Sequence, residues 1–191
     1  MDIPFDVTKV TLETPRLLLR AFREEDAADF YAYASVPGVG EMAGWNHHES
    51  MEDTHRVLGV FLEEKNVFAL VHKEDGRIIG SLGLHVSHTA GTPFEPLRSK
   101  EIGYVLSKEY WGQGLMPEAV EAVIDFLFRE EKLDFLIISH YAFNNQSRRV
   151  IEKCGFQYIK TIELKTRYDT VEPTLVYILY NPERRMGDAE A

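Results

Sequence analysis

The chain has 191 residues, 45% of them hydrophobic and 12% aromatic, which is enough for one full core and too few for two of ordinary size. Lys and Arg number 21 against 31 Asp and Glu, a formal charge of −10 that works against a nucleic acid or an anionic membrane as partner. The single cysteine, Cys154, excludes an internal disulfide framework and a cysteine-based zinc cluster, and no apolar run approaches the roughly 18 residues of a membrane span, so a cytoplasmic globule is expected.

The predicted elements follow one another without a linker or repeat. Arg16-Leu17-Leu18-Leu19-Arg20, inside Val7 to Phe22, reads as an opening strand. Ala27, Phe30, Tyr31 and Ala34 fall at helical spacing and stop at Pro37-Gly38, and Ser50 is placed to cap a second helix ending near Lys65. Phe68 to Val71 and Ile78-Ile79 flank the turn Glu74-Asp75-Gly76, which predicts a hairpin. Glu101 to Leu106 is a further strand. From Leu115 to Arg129, Glu118, Glu121, Asp125 and Arg129 recur opposite Met116, Ala119, Val120, Val123 and Leu127, the clearest helix of the chain. Phe135 to Ile138 reads as a buried strand, Asn145 to Cys154 as a short helix, and Phe156 to Leu164 and Leu175 to Tyr180 as closing strands. The expected architecture is a single α/β domain over residues 1–182, built on a mixed seven-stranded sheet flanked by about four helices, with a flexible C-terminal tail over residues 183–191.

Two segments carry chemistry. In Trp111-Gly112-Gln113-Gly114 a strand gives way to a long helix through two glycines two apart. Bare backbone and the unpaired N–H groups of a helix start suit a pyrophosphate, although the same turn also serves a plain strand-to-helix connection. Pro117 fits a first helical turn. In Asn144 to Phe156, Ser147, Val150, Ile151 and Cys154 share one face, so the Ser147 hydroxyl is expected to be buried and to need a partner. Asn144 is placed to cap and Gly155 to end that helix. Arg148, Arg149 and Lys153 form a basic cluster that is either a solvated face or a phosphate contact.

Together these segments resemble the GNAT superfamily of acyl-CoA N-acetyltransferases, of the RimJ/RimL type. The resemblance rests on Thr14-Pro15-Arg16-Leu17-Leu18-Leu19-Arg20 with Asp26-Ala27, on Glu101-Ile102-Gly103-Tyr104 followed by Tyr110-Trp111-Gly112-Gln113-Gly114, and on Asn144-X-X-Ser147 with Glu152-Lys153-Cys154-Gly155-Phe156. It implies a splayed sheet whose strands part near Leu106 and Phe135, with acetyl-CoA as co-substrate. Backbone around Tyr104, Val105 and Leu106 would hold the pantetheine arm. Amides around Gly112, Gln113, Gly114, Leu115 and Met116 would hold the pyrophosphate, with Asn144, Ser147, Arg149 and Lys153 as further contacts. Many members carry Gln or Arg where this chain has Glu109, which is expected to point into solvent.

The resemblance also implies direct attack by a primary amine, from a protein N-terminus or a small molecule, within a ternary complex. A base must take the amine's proton. Glu101 is the first candidate, on one strand face with Gly103 and Val105, and His140, near the end of the other parting strand, is the second. A cross-strand ion pair and a packed histidine are their structural alternatives. The family's usual acid, a tyrosine on the last helix, is replaced by Ile151, so Ser147 inherits that role by resemblance, and water can also protonate a thiolate of pKa about 8.5 to 9. Trp45 and His48, in the loop between the first two helices, and Glu101 on its strand are expected at the acceptor, whose loops are Val36 to Ser50 and Ser87 to Lys100, and the acidic surface mildly favours cationic acceptors. His47-His48-Glu49 lacks the spacing of a metal site, and no metal is expected. The family often forms dimers, which implies a homodimer here. The missing tyrosine and Glu109 leave a second reading, a catalytically weak acyl-CoA-binding or regulatory module.

Overall fold

The computed structural model describes residues 4–87, 89 and 92–184. One sheet contains the strands β1 (Leu12–Glu13), β2 (Leu17–Ala21), β3 (Val67–His72), β4 (Ile78–His85), β5 (Ser99–Leu106), β6 (Phe135–Tyr141), β7 (Gln157–Lys165) and β8 (Val171–Tyr180). Their order in space is β1-β2-β3-β4-β5-β6-β8-β7. Only β5 and β6 run parallel, and the helix between them, α3 (Leu115–Arg129), supplies the crossover that a parallel pair requires.

The sheet has eight strands where seven were expected. The opening strand is two, because Thr14 turns the chain: its N–H donates to Leu17 O at 2.9 Å, and its Oγ1 accepts from Leu17 N at 2.9 Å. β1 therefore folds back on β2. The remaining elements stand where the patterning put them, with β4, β6 and β8 longer than their apolar runs; β8 begins at Val171 rather than Leu175.

Helices α1 (Ala27–Ala34) and α2 (Met51–Glu64) cover one face of the sheet, where Phe30, Leu58, Val67, Ala69 and Ile78 form a buried cluster. Ser50 caps α2 as expected, accepting from Asp53 N at 3.2 Å. On the other face α3 and α4 (Asn145–Lys153) bury Val120, Val123 and Ile151 against Leu19, Leu70, Leu82 and Ile102. Alternation along β3 and β4 divides the two clusters, since successive strand residues point to opposite faces. No helix among the described residues is long and apolar enough to cross a membrane. Of the expected tail, residues 185–191 lie outside the described residues, while Arg184 is tied by its N–H to Asn181 O and by its guanidinium to Asp134 at 2.6 Å.

Candidate active site

The sheet opens in its middle. β5 and β6 pair only from Ser99–Phe135 to Ile102–Ile138. Beyond that point β5 continues to Leu106 against β4, and β6 to Tyr141 against β8, so the two strands part as expected. The bond from Ser107 N to Ile79 O, 2.7 Å, sets the phase of the β4–β5 ladder. Gly103 and Val105 direct N–H and C=O to β4, while Tyr104 and Leu106 direct theirs into the gap, as alternation in an antiparallel pair requires. The Leu106 carbonyl is already taken by the Trp111 indole N–H at 2.8 Å. Val105 is therefore corrected as a backbone contact: its polar groups belong to the sheet, and only its side chain reaches the gap. Tyr104 N–H and C=O and Leu106 N–H remain.

The glycine turn lies at the mouth of this gap. Gly112 and Gly114 have φ of 77° and 78°, a region costly for residues with a Cβ. A Cβ on Gly112 would meet nothing within 4 Å, so conformation rather than crowding accounts for that glycine. No side chain caps α3, and the N–H groups of its first turn have no intrahelical acceptor. The turn is held from behind by Arg16, a residue for which the sequence offered no role. Arg16 Nη1 donates to Gln113 O at 2.9 Å and Nε to Glu118 Oε2 at 2.7 Å, while Glu118 Oε1 also accepts from Thr14 Oγ1 and Arg16 N. Gln113 Nε2 donates to Glu109 O at 3.0 Å. The Glu109 residue is exposed, in keeping with the expectation.

Helix α4 closes the gap from below. Asn144 caps it through Oδ1, which accepts from Ser147 N at 3.0 Å, and its Nδ2 donates to Met42 O at 2.9 Å. Ser147 is buried as its periodicity required, and the partner it needs is Tyr104, whose hydroxyl is 2.8 Å from Ser147 Oγ. Burial pushes the Tyr104 phenol well above its usual range. The resulting cleft, about 250 Å³, is lined by Tyr104, Val105, Leu106, Gly112, Gly114, Leu115, Met116, Asn144, Ser147, Arg149 and Lys153, all expected from the sequence. Gln113 alone of the expected set stays outside, facing Arg16. Arg148 points elsewhere, paired with Glu152 at 2.8 Å.

A second cleft, about 520 Å³, adjoins the first where both are lined by Ala43, Tyr104 and Val105. Trp45 and His48 line it as expected. His48 is buried between Phe30 and Trp45 with Nδ1 2.8 Å from Thr54 Oγ1, and burial lowers its pKa. His85 also lines it, and sequence reasoning missed this residue because a single histidine at a strand end carries no pattern. Its ring lies over Gly83 and Gly103: a Cβ on Gly83 would stand 2.6 Å from His85 Nε2. Packing there lowers its pKa too. Glu101 faces His85 across the ladder and accepts from Ser139 Oγ at 3.0 Å, but lines neither cleft.

His140 is corrected. Alternation turns it to the opposite face of β6, where it packs on Tyr177. Its Nδ1 donates to Tyr141 O at 2.9 Å, which leaves Nε2 to accept from Tyr177 Oη at 3.3 Å. Both nitrogens are engaged, and the residue lines neither cleft. His47 is bound to Glu41 at 2.7 Å.

The family model described as an acetyltransferase (GNAT) domain matches residues 16–157. The chain belongs to the GNAT acetyltransferases. It is similar to the N-acetyltransferase YoaA of Bacillus subtilis, 27% identical over 76% of this chain and 82% of that one. It is also similar to the [ribosomal protein uS5]-alanine N-acetyltransferase of Escherichia coli, 25% identical over 80% of each. In fold it resembles a GNAT-family acetyltransferase structure from Bacillus anthracis, with a TM-score of 0.79 and 22% identity over 91% of this chain and all of that one. As a GNAT domain the chain is an acetyl-CoA-dependent acetyltransferase.

Proposed function

We propose that the chain transfers the acetyl group of acetyl-CoA to a primary amine by direct attack, with the donor in the first cleft and the acceptor in the second. The observation that carries this reading is the junction of the two clefts at Tyr104 and Val105, where β5 leaves β6. A thioester led in along the parted strands and an amine led in from the α1–α2 side meet there, as a reaction within one ternary complex requires.

The residues of the first cleft fit the donor. Tyr104 N–H and C=O and Leu106 N–H are oriented to bond the amide groups of a pantetheine arm. The uncapped start of α3 with Arg149 and Lys153 suits its phosphates. Asn144 acts through the fold, capping α4 and fixing the loop that carries Met42.

In the reaction the amine nitrogen bonds the acetyl carbon, the carbon–sulfur bond breaks, the amine loses a proton and the thiolate gains one. For the thiolate's proton we assign Ser147 Oγ with Tyr104 Oη beside it, because the helix position of the family's usual tyrosine carries Ile151. For the amine's proton we assign His85, which lines the acceptor cleft and whose pKa is lowered by desolvation where its ring packs on Gly83 and Gly103; Glu101 stands next to it across the ladder. The proposed acceptor class includes protein amines; a relative is named for acetylating an alanine of ribosomal protein uS5.

The test is calorimetry with coenzyme A, followed by thiol release from acetyl-CoA with a panel of amines and N-terminal peptides. Binding with release for at least one amine is expected. Absence of heat at millimolar coenzyme A, or binding without release for every amine, refutes the proposal.

A further inference from the structure

The second cleft differs in charge from the rest of the molecule. The chain carries ten more acids than bases, yet none of the described residues lining this cleft is an Asp or Glu. Its wall is apolar and aromatic, with Phe30, Trp45, Phe61 and Val67, and its charged members are Arg56 and Arg167. Arg56 is held by Asp53 at 3.0 Å. Arg167 makes no ion pair among the described residues: Asp169, the acid nearest to it along the hairpin, is taken by Lys165 at 2.6 Å.

The position of Arg167 is built rather than incidental. It sits in the turn between β7 and β8, and this hairpin tip is fastened to the loop between α1 and α2. Arg167 N donates to Gly44 O at 2.8 Å and the Tyr168 hydroxyl to Glu41 O at 3.3 Å. The guanidinium therefore hangs at a cleft whose two histidines, buried His48 and His85 packed on Gly83 and Gly103, both have lowered pKa values and add no positive charge of their own at neutral pH. A polyamine or basic peptide would meet cations there with no carboxylate to receive it, contrary to what the acidic surface led one to expect.

We propose that the amine acetylated by this protein also bears a carboxylate, which Arg167 binds, and an apolar body that lies against Phe30, Trp45 and Phe61. This rests on the second cleft being the acceptor site. A guanidinium presents paired donors that match a carboxylate, whereas an ammonium acceptor offers it only repulsion. The carboxylate belongs either to a free amino acid or to an acidic side chain close behind a peptide N-terminus, and both present the same group to Arg167.

The experiment compares matched acceptors, with kcat/KM taken per neutral amine because the α-ammonium of phenylalanine is the more acidic: phenylalanine against 2-phenylethylamine, and a peptide with Asp in its second position against the same peptide with Asn. The carboxylate-bearing member of at least one pair is expected to show kcat/KM higher by about ten-fold or more, as suits a charge-assisted pair. In Arg167→Gln that ratio is expected to fall towards one, through KM. Equal or better use of the neutral member in both pairs, or a ratio untouched by Arg167→Gln, overturns the proposal. Which pair responds separates the amino acid from the peptide. If no acceptor is turned over, calorimetry of N-acetylphenylalanine against N-acetyl-2-phenylethylamine on the protein decides, and equal affinity overturns the proposal. Failure of the donor reading is seen separately, as absence of heat with coenzyme A.

Discussion

The Tyr104 hydroxyl lies 2.8 Å from Ser147 Oγ and 3.2 Å from Ser147 O, which joins the strand that parts from β6 to the first turn of α4. Tyr104 thus contributes twice, with its main chain towards the gap and its phenol towards the serine. Burial raises its pKa, so the phenol stays protonated across the neutral range and stands hydrogen-bonded to Ser147 Oγ, the group proposed to supply the thiolate's proton.

Ser147→Ala is expected to lower kcat by about 100-fold, the lower end of the range for a positioned proton donor, with little change in acetyl-CoA affinity. Tyr104→Phe is expected to act in the same direction, and the double variant to lose less than the product of the two, because the hydroxyls act as a unit. Steady-state kinetics with calorimetry in parallel checks this. Unchanged turnover in both single variants would remove the pair from the mechanism.

Gly112 tests the glycine turn without a packing complication, since a side chain there enters open space. Gly112→Val is expected to cost about 1–2 kcal/mol through its left-handed φ alone. Gly112→Asn should cost less, because asparagine tolerates that region. Both should weaken coenzyme A binding in the same order, measured by calorimetry alongside thermal melts. Equal effects of the two residues would show that φ is not what the glycine provides.

His48 and His140 are buried, and burial lowers the pKa of each below its ordinary 6.5. With the folded value below the unfolded one, the unfolded chain binds more protons between the two. Stability is therefore full above about pH 6.5 and is lost as pH falls through that window. The melting temperature is expected to drop between pH 7.5 and 5, with a shallower slope in His48→Gln. An identical slope in that variant would exclude His48 as a contributor. Activity should fall over the same range with an acid limb below 6.5, because a protonated His85 cannot take a proton. His85→Gln should remove that limb together with most of kcat.

Glu118 receives Thr14 Oγ1, Arg16 N and the Arg16 guanidinium. Glu118→Ala leaves these donors without their acceptor at a half-buried site, for an expected loss of about 1–3 kcal/mol seen in denaturant unfolding. Because Arg16 also holds Gln113 O, coenzyme A should bind more weakly as well. Loss of stability with unaltered affinity would separate the clamp from the glycine turn.

What could be read in advance follows a physical division. The helix from Leu115 to Arg129 was legible to the residue because polar and apolar positions alternate at its period. Ser50 and Asn144 were legible as caps because capping is a local bond. Most of the first cleft's lining lies on two continuous segments, where motif spacing found the expected contacts, while Val39, Met42 and Ala43 of the α1–α2 loop complete it without such a signal. Contacts made by chain folded back from far away had no such signal. Arg16 behind the glycine turn and Arg167 at the second cleft meet partners about 100 or more positions distant. The orientation of His140 turned on a single step of strand alternation, and His85 on two glycines that let its ring lie flat.

The fastening of the β7–β8 tip to the α1–α2 loop divides the molecule's labour. The first cleft rests chiefly on the β5–turn–α3 passage and the start of α4, which tolerate little revision. The second is roofed by two separate excursions that merely lean on one another. Descendants of such a scaffold can exchange the hairpin tip and acquire a new clientele, while the machinery that grips the donor stays as it was.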